Sequence, residues 1–345
     1  MSDFYRGKRV LVTGGTGLIG VPLVKKLIEL GAEVNVVSMD NKERAQQVLP
    51  VGAKFYQLDL TDYCWCSFAC RLFPGDSPAD MVFHLAGVKG SVSLGRSKPA
   101  SFFTSMLQFN TNMMEAAYKS GVERYLYTSS VGVYPEASIF REDEAWNGPP
   151  FSVDQFPGWA KRMGELQAEA YKIEYGWDKI AIVRPCNVFG PYDRFDEETS
   201  MVVSALITRV NNTKMGDKVK VWGDGSAIRD FIFSEDVADG MLLAMEKGAN
   251  CTPINLGSGR GYSIRELVEA VAEAYDIPMS TFEFDTSKPS GESIRLMDVQ
   301  RAKDMIGFEA KTSLKEGVKK TVDWYLNNMT IASSSFDAFK KGRAV

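Results

Sequence analysis

The chain has 345 residues, 45% of them hydrophobic, enough for a sizeable core in one large domain or two closely merged ones. A formal net charge of −4 argues against a nucleic-acid or anionic-membrane partner. No apolar run reaches the length of a membrane span, and the short polar start Met1 to Lys8 lacks a signal-peptide pattern, so a cytoplasmic protein is expected.

Val10 to Val12 reads as a buried parallel strand, followed by the turn Gly14-x-x-Gly17-x-x-Gly20 and a helix with Val21, Val24, Leu27 and Ile28 on one face. Gly14 permits the tight turn, Gly17 lets the backbone approach a pyrophosphate, and Gly20 lets the helix pack on the strand. Leu18 and Ile19 complete the expected contact, at a helix N-terminus suited to an anion. Pro22 falls in the first helical turn, where a missing N–H costs little. A second strand, Glu33 to Val37, completes a βαβ unit for dinucleotide binding.

An acidic residue at the end of that strand bonds the adenosine ribose and favours NAD; a basic one accepts a 2′-phosphate. Ser38 holds the usual acidic position, Asp40 follows two residues later, and Arg44 is the nearest group for a phosphate. NAD is therefore the expected cofactor, with NADP not excluded, unless Asp40 merely caps a helix. A third strand, Lys54 to Leu58, runs into Asp59, Leu60 and an N-cap at Thr61-Asp62. The cluster Cys64-x-Cys66-x3-Cys70 fits no zinc spacing, the chain has one histidine, and no metal is expected. A fourth strand, Met81 to Leu85, ends in Ala86-Gly87, small enough for a cofactor to cross. A helix over Phe102 to Ser120 and a fifth strand, Arg124 to Thr128, follow. Strands alternating with helices predict an α/β fold with a doubly wound parallel sheet.

Thr13-Gly-Gly-Thr-Gly-Leu-Ile-Gly20, Asp59-Leu60, His84-Leu-Ala-Gly87, Ser129-Ser130 with Tyr134, and Arg184-Pro-Cys-Asn-Val-Phe-Gly-Pro191 carry a resemblance. From about residue 8 to 326 the chain resembles an extended short-chain dehydrogenase/reductase of the nucleotide-sugar epimerase/dehydratase family. Asn187 to Asp196 with Met201 to Ile207, and Lys288 to Asp298, resemble the GDP-sugar members, and Val221 to Phe231 matches the family's nucleotide-binding hairpin. The resemblance implies a Rossmann domain over residues 1–183, a substrate lobe over 184–330 partly interleaved with it, and a tail over 331–345. It also implies oxidation or reduction at a sugar C4 by NAD(P), on a GDP-linked substrate, in a homodimer formed through Phe102 to Ser120 and Gly158 to Tyr175.

That chemistry needs a phenol whose pKa is pulled down by a lysine, and a serine hydroxyl on the reacting oxygen. Ser130 matches the family serine and Lys161 its lysine, with Glu165 one turn later. The tyrosine position four residues before Lys161 holds Pro157, which has no ionisable group. Either another group serves, Tyr134 and Asp154 being nearest, or protons come from water or substrate, or the protein binds a nucleotide sugar without turning it over. The cysteine and histidine with which some GDP-sugar members epimerise beside a ketone are Gly132 and Tyr192 here, so that route is not expected. The sole histidine, His84, reads as structural.

In the second half, the family implies Asn187 and Arg229 on the diphosphate, and Arg295 with Asp298 on diphosphate and ribose. A planar, permanently charged arginine fork suits phosphate oxygens. Ser263 to Glu266 reads as a capping box, Leu314 to Leu326 as an amphipathic helix, and Asn327 to Val345 as a mobile end.

Overall fold

A computed structural model describes residues 3–88, 97–196, 199–214, 216–288, 292–334 and 336. The apolar runs of the first half form strands β1 (Arg9–Thr13), β2 (Glu33–Ser38), β3 (Lys54–Gln57), β4 (Met81–His84) and β5 (Arg124–Thr128). With β6 (Ile139–Phe140) elsewhere, the main sheet is completed by β7 (Ile180–Pro185) and, much later, β12 (Pro253–Leu256). Between these two lie β8 (Val188–Phe189), β9 (Val219–Trp222), β10 (Ile228–Asp230) and β11 (Ile232–Phe233). The last strands are β13 (Gly261–Ser263), β14 (Phe282–Asp285) and β15 (Ile294–Met297).

Seven strands lie in the order β12-β7-β5-β4-β1-β2-β3, and every neighbouring pair is parallel. This is the doubly wound sheet expected from sequence. The order reverses between β1 and β4, where open α/β sheets place their ligand crevice. Alternation assigns the two faces. Val10 and Val12 join Leu23, Val24 and Leu27 of the first helix (Gly20–Glu29) in one core, whereas Leu11 joins Cys66, Cys70 and Met113 in the other. Cys66 and Cys70 thus pack as apolar residues, and their helix (Tyr63–Ala69) is capped by the Asp62 carboxylate. Among the described residues, no cluster of three or more His, Cys, Asp or Glu side chains could hold a metal.

A third core, with Leu206, Val221, Phe231, Leu267 and Val318, lies under a second sheet system. There β13, β10, β15 and β6 form one sheet, β8 pairs with β11, and β9 pairs with β14. The chain crosses between lobes in both directions. Strand β6 joins the second lobe, while the helix Ser234–Lys247 and β12 return to the first. The capping box Ser263–Glu266 forms reciprocally, as its spacing predicts. The end of the chain departs from expectation: a short helix, Met329–Ala332, follows Leu314–Asn327 and packs on the helix Lys42–Val48 rather than trailing free. Residues 337–345, including the Lys340-Lys341 pair, lie outside the described residues. No helix among the described residues is long and apolar enough to cross a membrane.

Candidate active site

The glycine turn sits at the sheet's reversal point. Gly14 follows β1 with φ +69°, and a methyl group added there would lie 3.0 Å from the Leu85–Ala86 backbone that follows β4. One at Gly20 would lie 2.4 Å from the Gly14 carbonyl oxygen and 2.5 Å from Gly15 Cα, so a hydrogen is required where the helix meets the turn. At Gly17 the nearest neighbour is 3.5 Å away, leaving open space over the turn. The first helix has no side-chain cap; Val21 N–H is taken by the Gly17 carbonyl and Pro22 has none, and the positive end of the helix faces the turn. This cradle, with the small Ala86 beside it, fits a dinucleotide pyrophosphate. Gly20→Ala should therefore lower stability by about 1–3 kcal/mol through overpacking. Gly17→Ala should leave the melting temperature nearly unchanged yet weaken NAD(P) binding, both measurable by thermal melts and fluorescence titration. Equal loss of stability in the two variants would refute this division of roles.

Beyond β2, the Thr16 hydroxyl donates to Asp40 at 2.5 Å and lies 2.8 Å from the Ser38 hydroxyl. Asp40 is not a helix cap: Asn41 caps the helix Lys42–Val48. Arg44 does not await a phosphate. It is 2% exposed, lies 3.5 Å from Asp40, and donates to the Ile331 carbonyl at 2.5 Å and Ser334 Oγ at 3.1 Å. Burial is the main cause that pulls its pKa down. The Phe336 N–H in turn donates to Asp40 Oδ1 at 2.6 Å. Asp59 ends the β3 segment in a local turn, accepting from the Thr61 N–H and hydroxyl, and Leu60 is buried beside it.

Strand β5 delivers Ser129 and Ser130 to the crevice. Ser130 Oγ accepts the Gly132 N–H at 3.1 Å and caps a short 3-10 turn, Val131–Val133. Its hydroxyl proton stays available for donation. Lys161 comes from the helix Gln155–Tyr175, buried, with Nζ 2.6 Å from the Thr128 carbonyl and 5.2 Å from the Tyr127 ring centre. Burial lowers its pKa to about 8, partly offset by Glu165. Pro157 occupies the first turn of that helix, and Gly158 packs so closely that an added methyl would lie 2.2 Å from the Gly132 carbonyl oxygen. Proline therefore leaves the local scaffold intact.

Tyr134 requires a correction. The 3-10 turn carries it inward, where it is 1% exposed, stacks on Phe140, donates to Asn255 Oδ1 at 2.6 Å and accepts from Arg184 at 2.9 Å. Burial pushes its pKa far up, and the hydroxyl meets buried protein groups on both sides, so it is no acid/base for a substrate. Arg184 also forks onto Glu165 at 2.9 and 2.6 Å, and Glu165 accepts from Ser129 at 2.5 Å. Beneath the site runs a buried network, Ser129–Glu165–Arg184–Tyr134–Asn255. His84 bridges Thr13 at 2.8 Å and Asn110 at 3.1 Å, with burial lowering its pKa to about 3; it is a neutral structural residue.

On the substrate side, Asn187, with φ +29°, donates to the Asp230 carbonyl at 2.7 Å. It lines a small cleft with Val202 and Phe231, next to the helix Val202–Asn212. Arg229 and Arg295 are register partners on adjacent parallel strands, and both are half-buried. Asp298 does not join Arg295. It accepts the Gln300 N–H at the start of the helix Gln300–Ile306 and pairs with Arg141 at 3.6 Å. Arg295 instead meets Asp154 at 3.2 Å. Tyr192, with φ +65°, packs on Trp324. Of the Lys288–Asp298 stretch, residues 289–291 lie outside the described residues.

Sequence reasoning missed Gly15, Thr16 and Arg162. A methyl at Gly15 would lie 2.6 Å from Val36, so this glycine seats the turn on β2. Its place inside the glycine run was the available signal. Arg162, 1% exposed, donates to the Val133 carbonyl at 2.8 Å between Trp146 and Trp159, fixing the turn that carries Ser130. Nothing in its sequence context separates it from a surface arginine.

A doubly wound sheet with a glycine cradle at its switch point, a buried lysine beside a strand-end serine and a second lobe over the crevice define a dinucleotide-dependent enzyme of the extended reductase type. The model of the NAD dependent epimerase/dehydratase family matches residues 10–257, and the chain belongs to that family. It is 33% identical to a probable GDP-L-fucose synthase 1 of Oryza sativa subsp. japonica, over 95% of this chain and 94% of that one. Among solved structures, UDP-glucose 4-epimerase of Thermotoga maritima with UDP-glucose superposes with a TM-score of 0.78 at 30% identity, covering 93% and 99% of the two chains. A GDP-L-fucose synthetase of Naegleria fowleri bound to NADP gives 0.78 at 25%, covering 95% and 97%. The protein is an NAD(P)-dependent enzyme that modifies a nucleotide sugar.

Proposed function

We propose that the protein oxidises or reduces the C4 position of a GDP-linked sugar, alone or as part of an epimerisation or dehydration, with an acid/base other than the usual tyrosine. The observation that carries this reading is the Arg229–Arg295 pair. Two like charges side by side on neighbouring strands repel, and burial with the Arg295 charge lowers the Arg229 pKa. Arg229 Nη1 donates to the Ile228 and Glu292 carbonyls and Arg295 Nη2 to Asp154; a bound diphosphate would accept from the remaining N–H groups of both forks and ease the repulsion. The fucose synthase relative favours guanosine as the base, and the cleft at Asn187, Val202 and Phe231 is where a base would lie.

The residues present fit the cofactor. Gly14, Gly17, Leu18, Ile19 and Gly20 would hold the pyrophosphate, with the small Ala86 letting the cofactor cross the strand ends; Asp40 would hold the adenosine ribose, Asp59 and Leu60 the adenine side, and Lys161 the nicotinamide ribose. When bound, it accepts or supplies the hydride. Ser130 would hold the reacting sugar oxygen. Arg44, turned onto Ile331 and Ser334, offers no fork to a 2′-phosphate, and this supports NAD over NADP. The helices Pro99–Lys119 and Gln155–Tyr175 pack together and leave Leu166, Ile173 and Tyr175 exposed, which supports a homodimer through them, in a cytoplasmic protein.

Product NMR in deuterated water tests the function: the protein is incubated with NAD(H) or NADP(H) and a panel of GDP-, UDP-, dTDP- and CDP-sugars, 4-keto forms included. A new GDP-sugar, or deuterium on its ring, is the expected result. Bound cofactor with every sugar unchanged would favour the alternative that Pro157 supports, a nucleotide-sugar binder with a degenerate site.

A further inference from the structure

The missing phenol leaves one question that the geometry answers: what moves the proton. We infer that Asp154 is the acid/base of this site, working beside Ser130 on the sugar hydroxyl; this rests on the proposed sugar oxidoreduction. Asp154 immediately precedes the helix Gln155–Tyr175, one turn before Pro157 and two before Lys161. Offsets of three and seven place 154, 157 and 161 along one stripe of the helix. Asp154 stands just before the helix, with φ −111° and ψ 11°, at the end of the stripe that carries the absent phenol and the present lysine.

Three further observations point the same way. First, Asp154 occupies the N-cap position but makes no side-chain cap, although aspartate is among the best capping residues. Its carboxylate is turned elsewhere. Second, a methyl group on Gly132 would lie 3.7 Å from the Asp154 carboxyl carbon and 3.5 Å from Ser130 Oγ. The two oxygen-bearing groups thus flank one gap, kept open by a glycine. Third, the side chain is neither buried nor loose: it is 28% exposed, and Arg295 Nη2 holds Oδ2 at 3.2 Å. Arg295 is fixed in turn over the Phe140 and Phe151 rings, with centres 5.3 and 5.4 Å away. Since Arg295 is also the register partner of Arg229, the residue that steadies the carboxylate belongs to the proposed diphosphate site.

The chemistry balances with these groups. In the oxidative direction the sugar O–H bond breaks and its proton passes to an Asp154 oxygen, while the hydrogen on the same carbon departs with its electron pair to the oxidised nicotinamide. Carbinol becomes ketone, carboxylate becomes carboxylic acid, and the reductive direction returns both hydrogens. Ser130 donates to the developing oxyanion.

The test compares wild type with Asp154→Asn, Asp154→Ala and the double variant Asp154→Asn/Pro157→Tyr. The asparagine variant should lose about 10²–10⁴-fold in turnover, while its melting temperature stays at the wild-type value and its NAD(P) and nucleotide-sugar dissociation constants stay within about twofold of wild type. Formate should restore part of the Asp154→Ala activity, and adding Pro157→Tyr should restore part of the activity that Asp154→Asn removes. Wild-type turnover retained in the asparagine variant would overturn the assignment. So would a loss of turnover matched by an equal loss of substrate affinity, which marks a binding residue. A wild-type protein that turns over nothing on the sugar panel overturns the parent reading and this assignment with it.

Discussion

Replacing Glu165 with alanine should lower the unfolding free energy by about 3–5 kcal/mol, the cost of stranding a buried charge. Arg184 and Glu165 are 1% and 4% exposed at their side chains and meet through two hydrogen bonds of 2.9 and 2.6 Å. Removing the carboxylate leaves the guanidinium among the Tyr134 hydroxyl and the Glu142 carbonyl, with no counter-charge, and leaves the Ser129 hydroxyl without its acceptor. Burial alone pulls the Arg184 pKa down, but the Glu165 carboxylate more than reverses that, so the pair is mutually dependent. Urea titration measures the loss. The double variant Glu165→Leu/Arg184→Leu should recover much of it, since an apolar pair of similar volume is often tolerated. A loss below about 1 kcal/mol for Glu165→Ala would show that Arg184 finds another partner.

The second large effect has the opposite sign. Lys161→Met should raise apo-protein stability at pH 7 while weakening cofactor binding. Burial brings the lysine pKa from 10.5 to about 8, so between those values the unfolded chain binds more protons than the folded one. Wild-type stability therefore rises with pH through that window, and below it the folded protein carries the full cost of a buried ammonium. Methionine abolishes that cost, a gain on the order of 1–3 kcal/mol after loss of the Thr128 hydrogen bond. The advantage should shrink as pH climbs from about 8 toward 10.5. NAD(P) affinity should fall about tenfold or more, the value of a charged hydrogen bond to the ribose. Unchanged cofactor affinity, or a lower melting temperature at pH 7, would refute the assignment.

What the sequence disclosed follows the range of the interactions involved. The glycine turn, the strands beside it and the Ser263–Glu266 box are local, set by neighbours within a few residues, and they were legible. The Arg184 network was not, because its members are brought together from positions 19 to 121 residues apart. Tyr134 misled for the same reason. Four residues after Ser130 it lies close in sequence, yet one 3-10 turn rotates the ring into the core. Asp298 was read with Arg295, but strand β15 ends between them and hands the aspartate to the next helix. Arg44 and the chain end were misjudged together, since each helps to bury the other across nearly the whole sequence.

That last contact has a practical side. Asp40 accepts the Phe336 N–H through one oxygen and the Thr16 hydroxyl through the other, and Arg194 holds the Phe336 carbonyl at 2.5 Å. Cutting the chain back past Phe336 therefore removes a partner of Asp40, the group proposed to receive the adenosine ribose. Kinetic constants for cofactor use from intact and trimmed preparations then differ, and the length of chain retained becomes an experimental variable.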